Sequence, residues 1–110
     1  MDKGIKEKWI RSLRSGEYLQ GRGFLHHNDR YCVLGVLCDL HLKERHGAWT
    51  CVQHDMNLLV YSYMESTGTL PAQVKAWAGI YGFLIPTLST YNDDGWSFDE
   101  LADFIEGSSL

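Results

Sequence analysis

Cys32, His54 and Asn92 stand in an order that could support nucleophilic chemistry. Hydrolases of the papain type place a thiol at a helix N-terminus. An imidazole base follows along the chain, then an amide or carboxylate that orients it. A helix N-terminus lowers a thiol's pKa and sharpens its nucleophilicity. Chain order is a cheap signal, however, and nothing around Cys32 matches a cysteine-hydrolase signature. A small buried thiol is the commoner role for such a residue.

Metal chemistry fares worse. Cys32 and Cys38 are six residues apart, about 120° off one another's face on a helix. No C-x2–4-C pair exists to start a zinc site. Aligning Gly95 with the sixth position of a calcium loop puts Thr90 first and Leu101 twelfth, where carboxylates are required. Asn92-Asp93-Asp94-Gly95 reads instead as a turn. His26 and His27 are adjacent, cannot share one face, and read as solvated loop residues. No phosphate loop, dinucleotide fingerprint or nucleophile elbow is present. No metal and no cofactor is expected.

Aromatic side chains are the other resource. Some of Trp49, Tyr61, Tyr63, Tyr81, Tyr91 and Trp96 must stay partly exposed in so small a chain, and Tyr and Trp are enriched at binding hot spots. Tyr91, Asp93, Asp94, Trp96, Asp99, Glu100 and Asp103 form an acidic, aromatic candidate contact surface. The segment from Trp49 to Met64 is the alternative. Charge is segregated: Lys3, Lys6, Lys8, Arg11 and Arg14 crowd one end, and the acids crowd the other. This reads either as two solvated helix faces or as a docking surface.

The elements that must hold these residues centre on the apolar run Tyr31 to Cys38. Each of its side chains left in water would forfeit roughly 1.5–3 kcal/mol. The spacing of Leu34, Leu37, Cys38 and Leu42 predicts a buried helix from about Arg30 to His46, capped by Asn28 or Asp29 and stopped by Gly47. A first helix over Lys3 to Ser15 carries Ile5, Trp9 and Leu13 on one face, with Asp2 as cap and a Glu7–Arg11 pair. Glu17 to Asn28 reads as a loop or irregular hairpin. Ala48–Gln53 and Met56–Met64 predict an antiparallel hairpin turning at His54-Asp55. Pro71 suits the first position of a short helix. Phe83 to Pro86 reads as an extended or irregular path. Ser97-Phe98-Asp99-Glu100 fits a capping box that opens a last helix.

With 110 residues, one domain over 1–110 is expected, burying about 60–70% of its unfolded surface. The expected class is α+β: compact, mostly helical, with a small antiparallel hairpin. The net charge of −4 argues against direct nucleic-acid binding. An odd cysteine count without a secretory h-region points to reduced thiols and the cytoplasm. No stretch reaches the ~18 apolar residues of a membrane span.

Four segments together resemble a known group. They are Trp9-x3-Leu13-Arg14-Ser15-Gly16-x-Tyr18-x-Gln20-Gly21, Arg30-Tyr31-Cys32-Val33-Leu34-Gly35-Val36-Leu37-Cys38-Asp39, Leu70-Pro71-x2-Val74-x2-Trp77-Ala78-Gly79, and Asn92-Asp93-x-Gly95-x-Ser97-Phe98-x2-Leu101-Ala102-Asp103-x-Ile105-Glu106. The chain is similar in these to small proteins without an established activity that bacteriophages and bacteria carry. Members often have adjacent cysteines where this chain has Cys32-Val33, which disfavours a vicinal dithiol here. The resemblance implies a viral or mobile-element origin, and leaves Trp49 to Thr67 unmatched. On it rests the expectation of a binding protein that sequesters or blocks a host protein, in the manner of a counter-defence inhibitor. The alternatives are a hydrolase using Cys32, and a sponge for a small signalling nucleotide.

Overall fold

A helix that is apolar on all sides has to sit in the middle, and Val33–Arg45 (α2) does so: every residue from Val33 to His41 is buried. The computed structural model describes all residues from 1 to 110. The helix starts three residues later than the apolar run suggests, because Arg30–Tyr31 (β3) is a strand. Its backbone is held between Leu19–Gln20 (β1), parallel to it, and His26–His27 (β2), antiparallel. That pairing keeps the chain extended through Cys32, at φ −81° and ψ 173°. Cys32 is therefore the N-cap in place of Asn28 or Asp29, and its Sγ accepts from the Gly35 N–H at 3.4 Å. His46 ends the helix in the left-handed region at φ 55°, one residue before the expected stop.

Gly35 lets α2 lie directly on the chain before it. A Cβ there would stand 1.8 Å from the Leu25 carbonyl oxygen. The same oxygen accepts from the Cys32 N–H at 3.2 Å.

Two helices flank this axis. Lys3–Arg14 (α1) is capped by Asp2, whose Oδ1 accepts from the Ile5 N–H at 2.9 Å. It buries Trp9, Ile10 and Leu13, and the Trp9 indole donates to the Val33 carbonyl at 3.0 Å. Phe98–Gly107 (α5) opens with the expected capping box and buries Phe98, Leu101, Ala102 and Ile105. The two helices pack together. Arg14 pairs with Asp103 at 2.6 Å and Glu106 at 3.3 Å, while the expected Glu7–Arg11 pair does not form: the ion pairs use only Arg14 and Lys43.

Thr50–Asp55 (β4) and Leu58–Ser62 (β5) make the expected hairpin, turning at Met56-Asn57 rather than His54-Asp55. It does not stand alone. β5 also pairs with β2, giving a mixed, mostly antiparallel sheet in the order β1-β3-β2-β5-β4. Two further helices complete an α+β domain: Ala72–Ala78 (α3), whose N-cap is Pro71, and Leu84–Asp93 (α4). The extended or irregular path expected at Phe83 to Pro86 is instead the N-cap and first turn of α4. Pro86 falls in the first turn, where its missing N–H costs no intrahelical bond.

Two outcomes follow for stability. Gly35→Ala should cost more than about 3 kcal/mol, the upper end for overpacking, because the obstacle is backbone; a urea midpoint within error of the parent would refute the close approach. His41 is buried on α2 with Nδ1 2.6 Å from the Tyr63 hydroxyl. Burial first, and then the Arg45 charge, lower its pKa below the usual 6.5. The unfolded chain then binds the proton first, so stability should be full above pH 6.5 and fall as pH drops toward the folded value. His41→Asn should flatten that fall in urea titrations between pH 7.5 and 5.

Candidate functional site

The thiol reading depends on what surrounds Cys32. Its side chain is buried, its partner is the Gly35 N–H, and no imidazole bonds to it. Burial raises its pKa to about 11, outweighing the backbone N–H groups of the first helical turn that pull it down. A helix N-terminus activates a thiol only where the thiolate stays solvated. His54 is on exposed β4 with its ring edge-on to Phe24, centroids 4.9 Å apart.

Asn92 does come to the start of α2, but for backbone. Fully buried, it accepts from the Val33 N–H at 3.1 Å and from Gln20 Nε2 at 2.9 Å, and its Nδ2 donates to the Gly21 carbonyl at 2.8 Å. It lies in the last turn of α4, not in a turn before Ser97 as expected, and joins three segments. The structure thus brings Asn92 to the residue after Cys32 and leaves His54 out.

The acidic, aromatic end is largely occupied by its own neighbours. Tyr91 and Trp96 stack at 4.2 Å and 5°, with Phe104 edge-on to both. Asp93 accepts from the Gly23 N–H at 2.9 Å, Glu100 closes the capping box on Ser97, and Asp103 holds Arg14. Asp94 and Asp99 are exposed and unpartnered. The charge segregation seen along the chain is thus partly neutralised within the molecule, across α1 and α5.

Two features escaped the sequence. Asp39, on the apolar helix, is buried and accepts from Tyr18 Oη at 2.6 Å and Trp49 Nε1 at 3.0 Å, with Lys43 Nζ at 3.3 Å. Tyr18 is pushed up to about 12, by burial and then by its bond to Asp39. His26 is not a solvated loop residue. It is buried between two tyrosine rings, Tyr31 at 4.0 Å and Tyr61 at 4.3 Å, both nearly parallel to it. The reason is register: Tyr31 and Tyr61 are its direct cross-strand partners on either side, and such pairs share one face.

The hairpin leaves both a strand edge and apolar side chains open. β4 is the outermost strand and is exposed at every residue except Val52. Met56 is 90% exposed at the tip and Leu59 59% exposed beside it. No three His, Cys, Asp or Glu side chains converge as a metal group would need, and no helix is long and apolar enough to cross a membrane.

Residues 1–109 match a family model described as a domain of unknown function, DUF8296. No curated protein and no solved structure matches the chain.

The burial of Cys32 and Cys38 sets a labelling pattern. In the folded protein at pH 7.5, iodoacetamide should modify exposed Cys51 at least about tenfold faster than either buried thiol, since burial both hides those sulfurs and disfavours their thiolates. Peptide mapping checks this. Preferential labelling of Cys32 would restore the thiol chemistry.

Proposed function

The chain belongs to the DUF8296 family, and from its surface we propose that it is a non-catalytic binding protein whose contact is the β4–β5 arm. The observation that carries this reading is β4, a full strand exposed on both faces at the sheet's open edge. Such an edge presents unpaired N–H and C=O groups to any extended segment. Charges or proline normally blunt it, yet β4 has one carboxylate, Asp55, and no lysine, arginine or proline. The exposed Met56 and Leu59 add apolar area of the kind an interface covers.

The partner class is a host protein that the arm occludes. The support is the resemblance to small phage-carried proteins, for which blocking a host factor, a defence component among them, is a fitting role. Action would be in the host cytoplasm. Catalysis by Cys32 with His54 and Asn92 is disfavoured by the buried, partnered thiol. The end bearing Tyr91, Asp93, Asp94, Trp96, Asp99, Glu100 and Asp103 ranks second as a contact, since internal bonds already engage most of it.

Capture from a host lysate on immobilised protein tests both surfaces. Replacing Met56 and Leu59 together by Asp should weaken capture about 30-fold, the loss of one hot spot of about 2 kcal/mol, while the urea midpoint stays put, as befits exposed sites. Replacing Asp93, Asp94 and Trp96 should leave capture intact. The reverse pattern moves the contact to the acidic end, and capture indifferent to both sets defeats the proposal.

A further inference from the structure

A cleft of about 410 Å³ opens between α4, α3 and the segment that precedes α3. That size is typical of small-molecule sites. None of its lining residues comes from β4 or β5, so it is separate from the arm and independent of that reading. Its floor is apolar, made by Leu34, Leu70 and Ile85, all buried from the other side by the core. Its walls include the hydroxyl residues Thr69, Ser89 and Thr90.

The charge of the lining suits an anion. In a chain of net charge −4, no carboxylate lines this cleft and one ammonium, Lys75, does. Lys75 takes part in none of the ion pairs. The first turn of α4 at the same place has no acidic residue and no capping side chain, so the positive end of its dipole is uncompensated and adds to Lys75. At the rim, Tyr81 is 67% exposed.

We propose that this cleft binds a small organic anion with a flat aromatic body, of nucleoside-monophosphate size. The anionic group would lie at Lys75, the ring would stack on Tyr81 over the apolar floor, and the hydroxyls would bond its polar edge. No phosphate loop is involved, consistent with the lack of one in the sequence.

Calorimetric titration with four probes tests it: adenosine 5′-monophosphate, 1-naphthyl phosphate, adenosine and inorganic phosphate. At least one aromatic phosphate should bind saturably, at least about tenfold tighter than adenosine or phosphate alone. Which of the two binds tighter decides between a nucleoside and a plain aryl body. Lys75→Met keeps the aliphatic stem and should cost about tenfold, and Lys75→Arg should retain binding. Ser89→Phe, which fills the cleft, should abolish it while thermal unfolding confirms a folded chain. Absence of saturable binding, equal affinity for adenosine or for phosphate alone, or affinity untouched by Lys75→Met or by Ser89→Phe would overturn the assignment.

Discussion

A helix buried on every side cannot leave a polar group to the solvent, and that constraint on α2 shapes the rest of the molecule. Unpaired buried polar groups cost about 1–3 kcal/mol each, so the polar groups that the helix's own backbone bonds leave free need partners, most of them from other elements. The Val33 N–H goes to Asn92 of α4 and the Val33 carbonyl to Trp9 of α1. Asp39 takes Tyr18 and Trp49, and His41 takes Tyr63 beyond the end of β5. No buried side-chain nitrogen or oxygen is left without a partner. Five separate parts of the chain are thus tied to one helix by directional bonds, over and above the apolar contact.

The same constraint explains why the thiols are quiet. Cys32 sits at a helix N-terminus, where dipole and N–H groups favour a thiolate, yet the low dielectric around it wins and raises its pKa to about 11. The two effects have opposite sign and comparable reach. Burial prevails because the N-terminal end of α2 is plugged by Leu25 and Asn92 rather than open to water. A sequence pattern can locate a cysteine at a helix start but cannot see what covers it.

What was legible in the chain follows from range. The capping box at Ser97, the Asp2 cap and the apolar stripes of α1 and α5 depend on residues within a few positions, and they formed as the spacing implies. The class, one α+β domain with a hairpin, came through for the same reason. Misjudged elements depended on distant partners. Arg30–Tyr31 became strand because β1 and β2 flank it, and His26 became core because Tyr31 and Tyr61 stack on it. Phe83 to Pro86 is a subtler miss: proline forbids a helix interior but favours a first turn, and no capping side chain announces the start of α4. At the candidate sites, the acids around Trp96 were visible as a cluster, but their engagement by Arg14 and the Gly23 N–H joins residues about 70 to 90 positions apart.

The contrast between α2 and the hairpin bears on function. A two-stranded ribbon is marginal in water by itself, and this one is anchored along one side only, through β5 to β2 and through Tyr63 to His41. Val60, Ser62 and Tyr63 are buried, while the outer strand contributes almost nothing to the core. A chain of this length, in which one buried helix already ties five parts of the molecule together, gains little stability from six further residues held in the open. Their retention as an ordered strand is easier to understand if the stabilisation they give is realised against another molecule, where an exposed edge and two bare apolar side chains become buried together.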